Sequence, residues 1–201
     1  MIYKIVILDT ESSNVSSLIW SINRLGYKPI VSNDLNVIKK SDRLFLPGVG
    51  TAQSVMNIIK KKNLLNEILN YKNPILGICL GMQIFCKYSE ESSNNNITKT
   101  LNIFKDHASL IKSNRLPVPH IGWNNVVHNN KSVLFKNILQ GSRFYFVHSY
   151  YVPINKYTVS YTFYEKYFSS AIQIKNFFGV QFHPEKSGNV GSLLLKNFLA
   201  V

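Results

Sequence analysis

Residues 74–81, Pro-Ile-Leu-Gly-Ile-Cys-Leu-Gly, constrain the fold more than any other segment of the chain. The short apolar run at their start predicts a buried parallel strand, and the apolar spacing of residues 82–88 predicts a helix directly after it. A strand that turns straight into a helix strains the residue at the turn, and it needs small neighbours because the two chain segments pass closely. Gly77 and Gly81 meet that need. The sequence therefore predicts a strand–turn–helix unit with Cys79 at the turn.

Cys79 is a candidate nucleophile because of this position. The first N–H groups of a helix and the positive end of its dipole favour the thiolate, which is the reactive form of cysteine. A lone cysteine is more commonly a buried structural residue. The two flanking glycines favour the nucleophile over the structural interpretation.

The first half of the chain alternates between strand and helix patterns. Residues 3–8, 28–31 and 43–46 have the pattern of buried strands, and amphipathic segments separate them. This alternation predicts a three-layer α/β fold of flavodoxin type, with a mostly parallel central sheet and helices on both faces. The 201 residues contain no repeat and no linker, so we expect a single domain over residues 1–201.

The second half of the chain has a different pattern. Residues 89–100 are polar and rich in Asn, which predicts an exposed loop. Short β-type runs separated by turn residues follow between positions 108 and 175, and they predict antiparallel hairpins packed onto the sheet. A further buried strand over residues 177–182 and a closing helix over residues 190–199 complete the prediction.

Composition narrows the possible partners. The formal charge is +13, but the lysines are scattered and no nucleic-acid motif is present, so we expect no nucleic-acid partner. The apolar residues 1–8 are too few for a membrane span and lack a cleavage site, so we expect no membrane association. Two cysteines do not make a disulfide framework, which fits a cytoplasmic protein. Metal-ligand spacing and a dinucleotide fingerprint are both missing from the sequence, so we expect no metal and no cofactor.

A cysteine nucleophile needs a base, usually a histidine that a third group orients. His183 is the best placed of the histidines because it follows a predicted strand, and Glu185 could fix the tautomer of its ring. The tetrahedral intermediate also needs backbone N–H donors. Leu80, directly after the nucleophile, is one natural donor, and Val49 between two glycines could be the other. An ordinary turn that ends a strand explains residues 47–50 equally well.

Five segments together resemble the class I, or triad-type, glutamine amidotransferases. Among these, the chain is similar to the glutaminase subunits of imidazole glycerol phosphate synthase in histidine biosynthesis. The resemblance covers essentially the whole chain, and the Pro-Gly-Val-Gly turn and the Pro-His-Ile-Gly-Trp-Asn segment are its most specific parts. The segments are FLPGVGT (45–51), LGICLGMQ (76–83), PHIGWN (119–124), YFVHSY (145–150) and QFHPEKS (181–187).

The resemblance implies a role for each matching residue. Cys79, His183 and Glu185 would form the catalytic triad, and the backbone N–H groups of Val49 and Leu80 the oxyanion hole. The residues implied to bind the substrate glutamine are Gly48, Gly50, Gln83, Glu91, Ser149 and Tyr150. Those implied to face a partner, a TIM-barrel cyclase subunit in a heterodimer, are Asn14, His120, Trp123 and Asn124.

Two of these assignments have a second interpretation. Glu91 could bind the α-ammonium of a free amino acid, which needs a carboxylate partner. Without the resemblance, Glu91 would be interpreted as a charged residue of an exposed loop. Trp123 could pack in the core as well as face a partner. The chain also departs from the family at Glu11, where the family usually has glycine. Glutamate there predicts an altered loop and altered coupling to the partner, because it adds bulk and disfavours a positive φ.

The implied reaction is hydrolysis of glutamine to glutamate and ammonia through a cysteine thioester. The cyclase subunit would use the ammonia to make imidazole glycerol phosphate and an aminoimidazole carboxamide ribotide. Three alternatives stay open on the sequence. They are a glutaminase subunit of an anthranilate-type or aminodeoxychorismate-type synthase, a cysteine-dependent hydrolase or peptidase of similar topology, and a partner-binding subunit without activity.

Overall fold

A computed structural model describes residues 3–11, 15–91, 97–129 and 131–201. The helices are α1 (Ser16–Arg24), α2 (Leu35–Lys39), α3 (Ala52–Lys61), α4 (Leu65–Asn70), α5 (Leu80–Gln83) and α6 (Gly188–Leu199), with 3₁₀ turns at Val133–Phe135 and Pro184–Lys186. The strands are β1 (Ile5–Leu8), β2 (Ile30–Ser32), β3 (Arg43–Leu46), β4 (Ile75–Ile78), β5 (Tyr88–Ser89), β6 (Thr98–Lys99), β7 (His107–Leu110), β8 (His120–His128), β9 (Ser142–His148), β10 (Tyr150–Tyr151), β11 (Thr158–Tyr164), β12 (Lys166–Ile174) and β13 (Phe177–Val180).

A nine-stranded sheet with the order β2-β1-β3-β4-β13-β12-β11-β8-β9 forms the centre of the fold. The strands from β2 to β13 pair in parallel, and those from β13 to β9 pair antiparallel. The α/β fold with a mainly parallel core and an added antiparallel region is therefore confirmed. A second, four-stranded sheet has the order β10-β7-β5-β6.

Both faces of the parallel strands are buried, and the alternation of side chains divides the core in two. One face packs against α1 and α6, and the other against α2, α3 and α4. All residues of β1, β3, β4 and β13 are buried, as expected for central parallel strands covered by helices. The first face includes Ile5, Ile7, Phe45, Leu76 and Ile78, and the second includes Val6, Leu8, Leu44, Leu46 and Ile75.

The antiparallel hairpins lie in the sheet and are not packed onto it, so that part of the prediction is wrong. β12 pairs with β13 from Ala171 opposite Val180 to Ile174 opposite Phe177. β13 has β4 on only one side, and its other edge would expose unpaired backbone groups without β12. The hairpins therefore continue the hydrogen-bonded sheet.

The predicted helix over residues 82–88 is also wrong, since α5 ends at Gln83. The carbonyl groups of the next residues accept hydrogen bonds from a distant segment and not from N–H groups four residues further along a helix. The carbonyl of Phe85 accepts from the N–H groups of Ile103 (2.8 Å) and Phe104 (2.9 Å), and that of Cys86 accepts from Asn102 (2.7 Å). These tertiary hydrogen bonds outweigh the local helical pattern.

The segment expected to be an exposed loop is ordered at both of its ends. Ser89 is buried and pairs with Thr98 as β5 and β6 of the second sheet. Residues 92–96, between them, lie outside the described residues. The polar composition of residues 89–100 therefore did not indicate the short β5–β6 pair, which ends the four-stranded sheet.

Candidate active site

Three neighbouring parallel strands bring the predicted site residues to one edge of the sheet. Cys79 directly follows β4, and β13 on one side of β4 leads within three residues to His183. β3, on the other side, leads to the turn at residues 47–50. Because the strands are parallel, their carboxyl ends meet at the same edge, where open α/β sheets bind ligands.

The backbone of Cys79 is strained, as the strand–turn–helix prediction requires. Its φ is 51° and its ψ −106°, and its N–H donates a 2.7 Å hydrogen bond to the carbonyl of Val180 in β13. A Cβ on Gly77 would lie 2.5 Å from the backbone of Gly81, and one on Gly81 would lie 2.1 Å from the carbonyl oxygen of Leu46. The glycines are thus required for close packing, and the packing holds Cys79 in its sparsely populated conformation.

The imidazole of His183 interacts with both Cys79 and Glu185. Nδ1 of His183 lies 2.7 Å from Oε1 of Glu185. Burial alone lowers the pKa of His183, but its electrostatic and hydrogen-bonding interactions with Cys79 and Glu185 outweigh burial and raise the pKa well above its ordinary value. The protonated form of the ring is therefore favoured.

Backbone and side-chain hydrogen bonds fix the position of His183. Its N–H donates to the carbonyl of Tyr145 at 2.8 Å, and its carbonyl accepts from Oγ of the buried Ser187 at 2.6 Å. The same Oγ accepts from the N–H of Tyr145 at 3.0 Å. Tyr145 belongs to β9, although β12, β11 and β8 separate β9 from β13 in the sheet. The sheet therefore curls until its last strand reaches the site.

A pocket of about 260 Å³ opens beside Cys79. Every residue that the resemblance assigns to the substrate lines it, namely Gly48, Gly50, Gln83, Glu91, Ser149 and Tyr150. Cys79 and Leu80 also line the pocket, together with Pro119, Val147 and His148, to which the sequence analysis gave no substrate role. None of these described lining residues is a lysine or an arginine, so Glu91 is the charged group that faces the pocket.

Glu91 has the environment of a carboxylate suited to a cationic ligand. Oε2 of Glu91 accepts a 2.7 Å hydrogen bond from the N–H of Ala52, the first residue of α3. Burial raises the pKa of Glu91, and the hydrogen bond from Ala52 partly opposes this effect. A partly buried carboxylate beside a pocket gains from a cation that replaces its lost hydration.

The two predicted oxyanion-hole residues are not equally placed. Leu80 lines the pocket, whereas Val49 lies between two lining residues without lining it. Among the described residues, the N–H groups of Val49 and Leu80 have no hydrogen-bond acceptor. A Cβ on Gly48 would lie 2.6 Å from Cβ of Cys79, so the turn is pressed directly against the nucleophile.

Gln181 is a neighbour of the sulfur that the sequence analysis did not single out. Its Nε2 lies 3.4 Å from Sγ of Cys79, and the carbonyl oxygen of Val147 lies 3.7 Å from the same sulfur. A signal for Gln181 existed, since it is a polar residue in the predicted buried strand over residues 177–182. For Val147 there was none, because a carbonyl contact made by the curling of a sheet has no side-chain pattern.

A chain of hydrogen bonds links β8 to the pocket through two neutral histidines. Nδ1 of His148 donates to the carbonyl of Tyr150 at 2.7 Å, so Nε2 of His148 is left to accept from Nδ1 of His120 at 3.0 Å. Nε2 of His120 in turn accepts from the side-chain amide of Asn124 at 3.3 Å. Burial lowers the pKa of His120 to about 4 and, with the neighbouring His120, that of His148 to about 3.

The residues expected to face a partner do not share one surface. His120 was expected to face outward, but its side chain is only 3% exposed and stacks on Phe146 and Tyr164. Side chains alternate along a strand, so Trp123 lies on the opposite face of β8 from His120. Trp123 is 47% exposed, and Asn124 is partly buried against His120. Asn14 lies outside the described residues.

Glu11 adopts the backbone conformation that glutamate was expected to disfavour. Its φ is 54°, its N–H donates to Oδ1 of Asp9 at 2.9 Å, and its Oε1 lies 3.8 Å from Nζ of Lys62. The loop therefore keeps the left-handed position that a glycine would occupy without strain, at a cost of about 1 kcal/mol. The altered feature is the added carboxylate, not the path of the backbone at residue 11.

The described residues contain no group of three or more His, Cys, Asp or Glu side chains that could hold a metal ion. In the same part of the chain, no helix is long and apolar enough to cross a membrane. Cys79 and Cys86 are both free thiols.

Comparisons with known proteins agree with this geometry. The family model described as glutamine amidotransferase class-I matches residues 6–201. The chain is 56% identical to "Imidazole glycerol phosphate synthase subunit HisH" of Buchnera aphidicola subsp. Acyrthosiphon pisum (strain APS), over 98% of this chain and 99% of that protein. It is 48% identical to the protein of the same name in Photorhabdus laumondii subsp. laumondii, over 98% of both chains.

Solved structures share the fold at low sequence identity. "PurLQS from Thermotoga maritima" superposes with a TM-score of 0.74 and 16% identity, over 100% of this chain and 99% of that chain. A glutamine amidotransferase from Thermotoga maritima gives a TM-score of 0.62 and 17% identity, over 100% of this chain and 84% of that chain. At these identities the likeness concerns the fold alone.

Proposed function

The chain belongs to the class-I glutamine amidotransferase family, and from this we propose that it is the glutaminase subunit of an imidazole glycerol phosphate synthase. It hydrolyses glutamine to glutamate and ammonia for histidine biosynthesis. The observation that carries the proposal is the interacting series Cys79, His183 and Glu185 beside a pocket whose described lining residues include one carboxylate, that of Glu91. The sequence identity of the relatives, extending over nearly the whole chain, supports the same function.

The first chemical step is attack of the Cys79 sulfur on the side-chain amide carbon of glutamine. The amide oxygen becomes an oxyanion, and the N–H groups of Leu80 and Val49 are the proposed donors to it. Leu80 already borders the pocket. Val49 would contribute after a local rotation of its peptide, which the two flanking glycines permit.

His183 then acts as the proton donor and, later, as the base. Its raised pKa keeps the ring protonated, so a proton is available at Nε2 for the departing ammonia. Glu185 holds Nδ1 at 2.7 Å, which fixes the tautomer and aims Nε2 at the reacting atoms. The neutral ring next removes a proton from water, and the water hydrolyses the thioester to glutamate and restores Cys79.

Substrate selection rests on Glu91. A free amino acid carries an α-ammonium, whereas a glutamine inside a peptide does not, and the partly buried carboxylate of Glu91 is the proposed partner of that ammonium. Gly48, Gly50, Gln83, Ser149 and Tyr150 border the remainder of the pocket. This arrangement favours free glutamine over a peptide, and therefore favours an ammonia donor over a peptidase.

The ammonia needs a protected route, because ammonia is protonated in bulk water near neutral pH. We propose a heterodimer in the cytoplasm, in which a TIM-barrel cyclase subunit receives the ammonia and carries out the lyase step. The proposed contact surface for the cyclase is the exposed face of β8, where the side chains of Ile121 and Trp123 supply apolar area. His120 and Asn124 would contribute from behind through their hydrogen-bond chain and not by direct contact of the His120 ring.

The alternative synthases are not favoured. The two relatives compared above carry the name of one subunit, at 56% and 48% identity over nearly their full length. A chain that served an anthranilate-type synthase would not be expected to show this pattern. The complete series of Cys79, His183 and Glu185 likewise argues against a subunit without activity.

An electrophilic glutamine analogue tests the proposal at the level of single atoms. A diazoketone analogue of glutamine should label Cys79 and leave Cys86 unmodified, because Cys86 is fully buried and burial raises its pKa well above the ordinary value. His183→Asn should slow the labelling at least tenfold, and free glutamine should protect the wild type. Labelling that glutamine does not slow, or labelling of other residues only, would contradict the proposal.

A further inference from the structure

Besides His183, two polar groups of the described residues lie within hydrogen-bonding distance of Sγ of Cys79. The carbonyl oxygen of Val147 lies 3.7 Å away and can accept a hydrogen bond from the thiol only, because a thiolate has no proton to donate. Nε2 of Gln181 lies 3.4 Å away and can donate to a thiolate. The two contacts therefore favour opposite protonation states of the same sulfur.

Resting on the proposed function, we propose that Gln181 is a further catalytic residue, which donates an amide N–H to the Cys79 thiolate and stabilises it. The side chain of Gln181 is 0% exposed, so its amide is shielded from water. An amide N–H does not give up its proton near neutral pH. Gln181 can therefore stabilise the negative sulfur without protonating it, a task that His183 cannot perform because it must transfer protons.

The donor role depends on which end of the Gln181 amide faces the sulfur, and Gln83 determines this. The carbonyl oxygen of Tyr150 accepts hydrogen bonds only, and Nε2 of Gln83 donates to it at 2.8 Å. The second hydrogen of the same Nε2 points to Oε1 of Gln181 at 3.0 Å. With its oxygen held by Gln83, the amide of Gln181 must present Nε2 to the sulfur. A flipped amide would place two donors face to face and a carbonyl oxygen beside the thiolate.

Gln83 is thus a positioning residue as well as a lining residue of the pocket. Both amides are buried, and a buried donor without a partner is costly, so neither side chain has reason to rotate. The series Tyr150, Gln83, Gln181 and Cys79 connects the substrate pocket to the nucleophile by hydrogen bonds. The same donor is also available when hydrolysis of the thioester releases the sulfur as the leaving group.

The test measures the ionisation of the sulfur directly by alkylation. The rate of reaction of Cys79 with iodoacetamide is recorded from about pH 5 to 9 for the wild type and for Gln181→Met, with the modified peptide identified by mass. Gln181→Met keeps the size of the side chain and removes the donor. We expect the midpoint of its pH–rate profile to rise by about one pH unit, a tenfold change in the ionisation constant.

Two further variants control the interpretation. Gln173→Met makes the same change at a glutamine that does not line the pocket. Oε1 of Gln173 accepts a 2.6 Å hydrogen bond from Oγ of Ser132. The midpoint of the pH–rate profile of this variant should equal that of the wild type. Gln181→Glu keeps an acceptor for Gln83 and replaces the donor by a carboxylate. Its midpoint should therefore rise further than that of Gln181→Met, which checks the sign even if the methionine variant folds poorly.

The outcomes separate this inference from the proposed function, since alkylation requires no glutamine. A midpoint within about 0.2 pH units of the wild type in Gln181→Met overturns the role of Gln181, whether or not the protein hydrolyses glutamine. A shifted midpoint in a protein that does not hydrolyse glutamine upholds the role of Gln181 and counts against the proposed function alone.

Discussion

Replacing Cys79 by glycine and by alanine measures the strain that the fold stores at the nucleophile. Both variants lack the sulfur, so both lose the same contacts with His183 and Gln181. They differ in one atom, the Cβ, which is the atom that makes φ 51° and ψ −106° unfavourable. The difference in unfolding free energy between the two variants therefore measures the cost of holding a residue with a Cβ in this backbone conformation.

The expected magnitude follows from two opposing contributions. A residue with a Cβ in a sparsely populated backbone region costs about 1–3 kcal/mol, and alanine keeps this cost whereas glycine removes it. At an ordinary position glycine is less stable than alanine by about 0.5–1 kcal/mol, because its unfolded chain has more freedom. The middle values of the two ranges differ by about 1.3 kcal/mol, so the glycine variant should be more stable than the alanine variant by roughly that amount, the reverse of the usual order.

Urea unfolding at neutral pH, followed by circular dichroism, gives both free energies. Ala171→Gly in β12 is a matched control, since Ala171 is buried and is not among the residues with positive φ. There glycine should be less stable than alanine. If alanine at position 79 proves as stable as glycine or more stable, the backbone of Cys79 is not strained and the account of the turn is wrong.

Three other predictions follow from the surroundings of the site. Lowering the pH from 7.5 to 5 should cost about 2 kcal/mol through His148, because its pKa is about 3 when folded and 6.5 when unfolded. This stability is lost as the unfolded chain takes up the proton, so His148→Gln should show a loss smaller by that amount in urea titrations, and an equal loss would contradict it. His183 is present in both proteins and so cancels in this comparison. Its raised pKa gives stability that is fully present below the unfolded value of 6.5 and is lost as the pH rises from there through the folded value of about 10. Glu91→Gln should raise the KM for glutamine by roughly tenfold or more with a smaller change in kcat, because one charge-assisted hydrogen bond to the α-ammonium is lost; an unchanged KM would exclude the ammonium role. Glu11→Gly should change the stimulation of glutamine hydrolysis by the cyclase subunit roughly threefold, as expected for about 0.7 kcal/mol from one exposed charge; unchanged stimulation and unchanged affinity for the cyclase would exclude the role of Glu11.

The strand–turn–helix unit could be predicted from sequence because its glycines have a geometric cause. Gly77 and Gly81 are needed where two backbones come within about 2.5 Å of an added Cβ, and no other residue type fits. The mostly parallel sheet with helices on both faces followed from the alternation of strand and helix patterns. The order of its strands, which brings Cys79 and His183 to the same edge, came only from the structure.

Features made by distant contacts could not be predicted in the same way. The helix after Cys79 is short because Phe85 and Cys86 pair with residues 102–104, and the local apolar spacing carries no sign of that pairing. The contact of Val147 with the sulfur depends on the curling of the sheet. The sequence resemblance alone likewise gave no indication of the amide series through Gln83 and Gln181.

His120 and Trp123 were both expected to face a partner. They are three positions apart on β8, so their side chains cannot point to the same side of the strand. Ile121 and Trp123 are two positions apart and share the exposed face of β8, whereas His120 points to the interior. The resemblance indicated which residues belong to the proposed interface, but the alternation of side chains along the strand decides which of them can contact a partner directly.

The release of glutamate from glutamine by the purified chain tests the central claim most directly. It is measured for the chain alone and with the cyclase subunit and its nucleotide ligand, and Cys79→Ala is the control. We predict strong activity in the complex, weak activity in the isolated chain and none above background in the control. Activity that survives in Cys79→Ala, or its absence from a stable wild-type complex, would contradict the assignment of Cys79, His183 and Glu185 as a glutaminase triad.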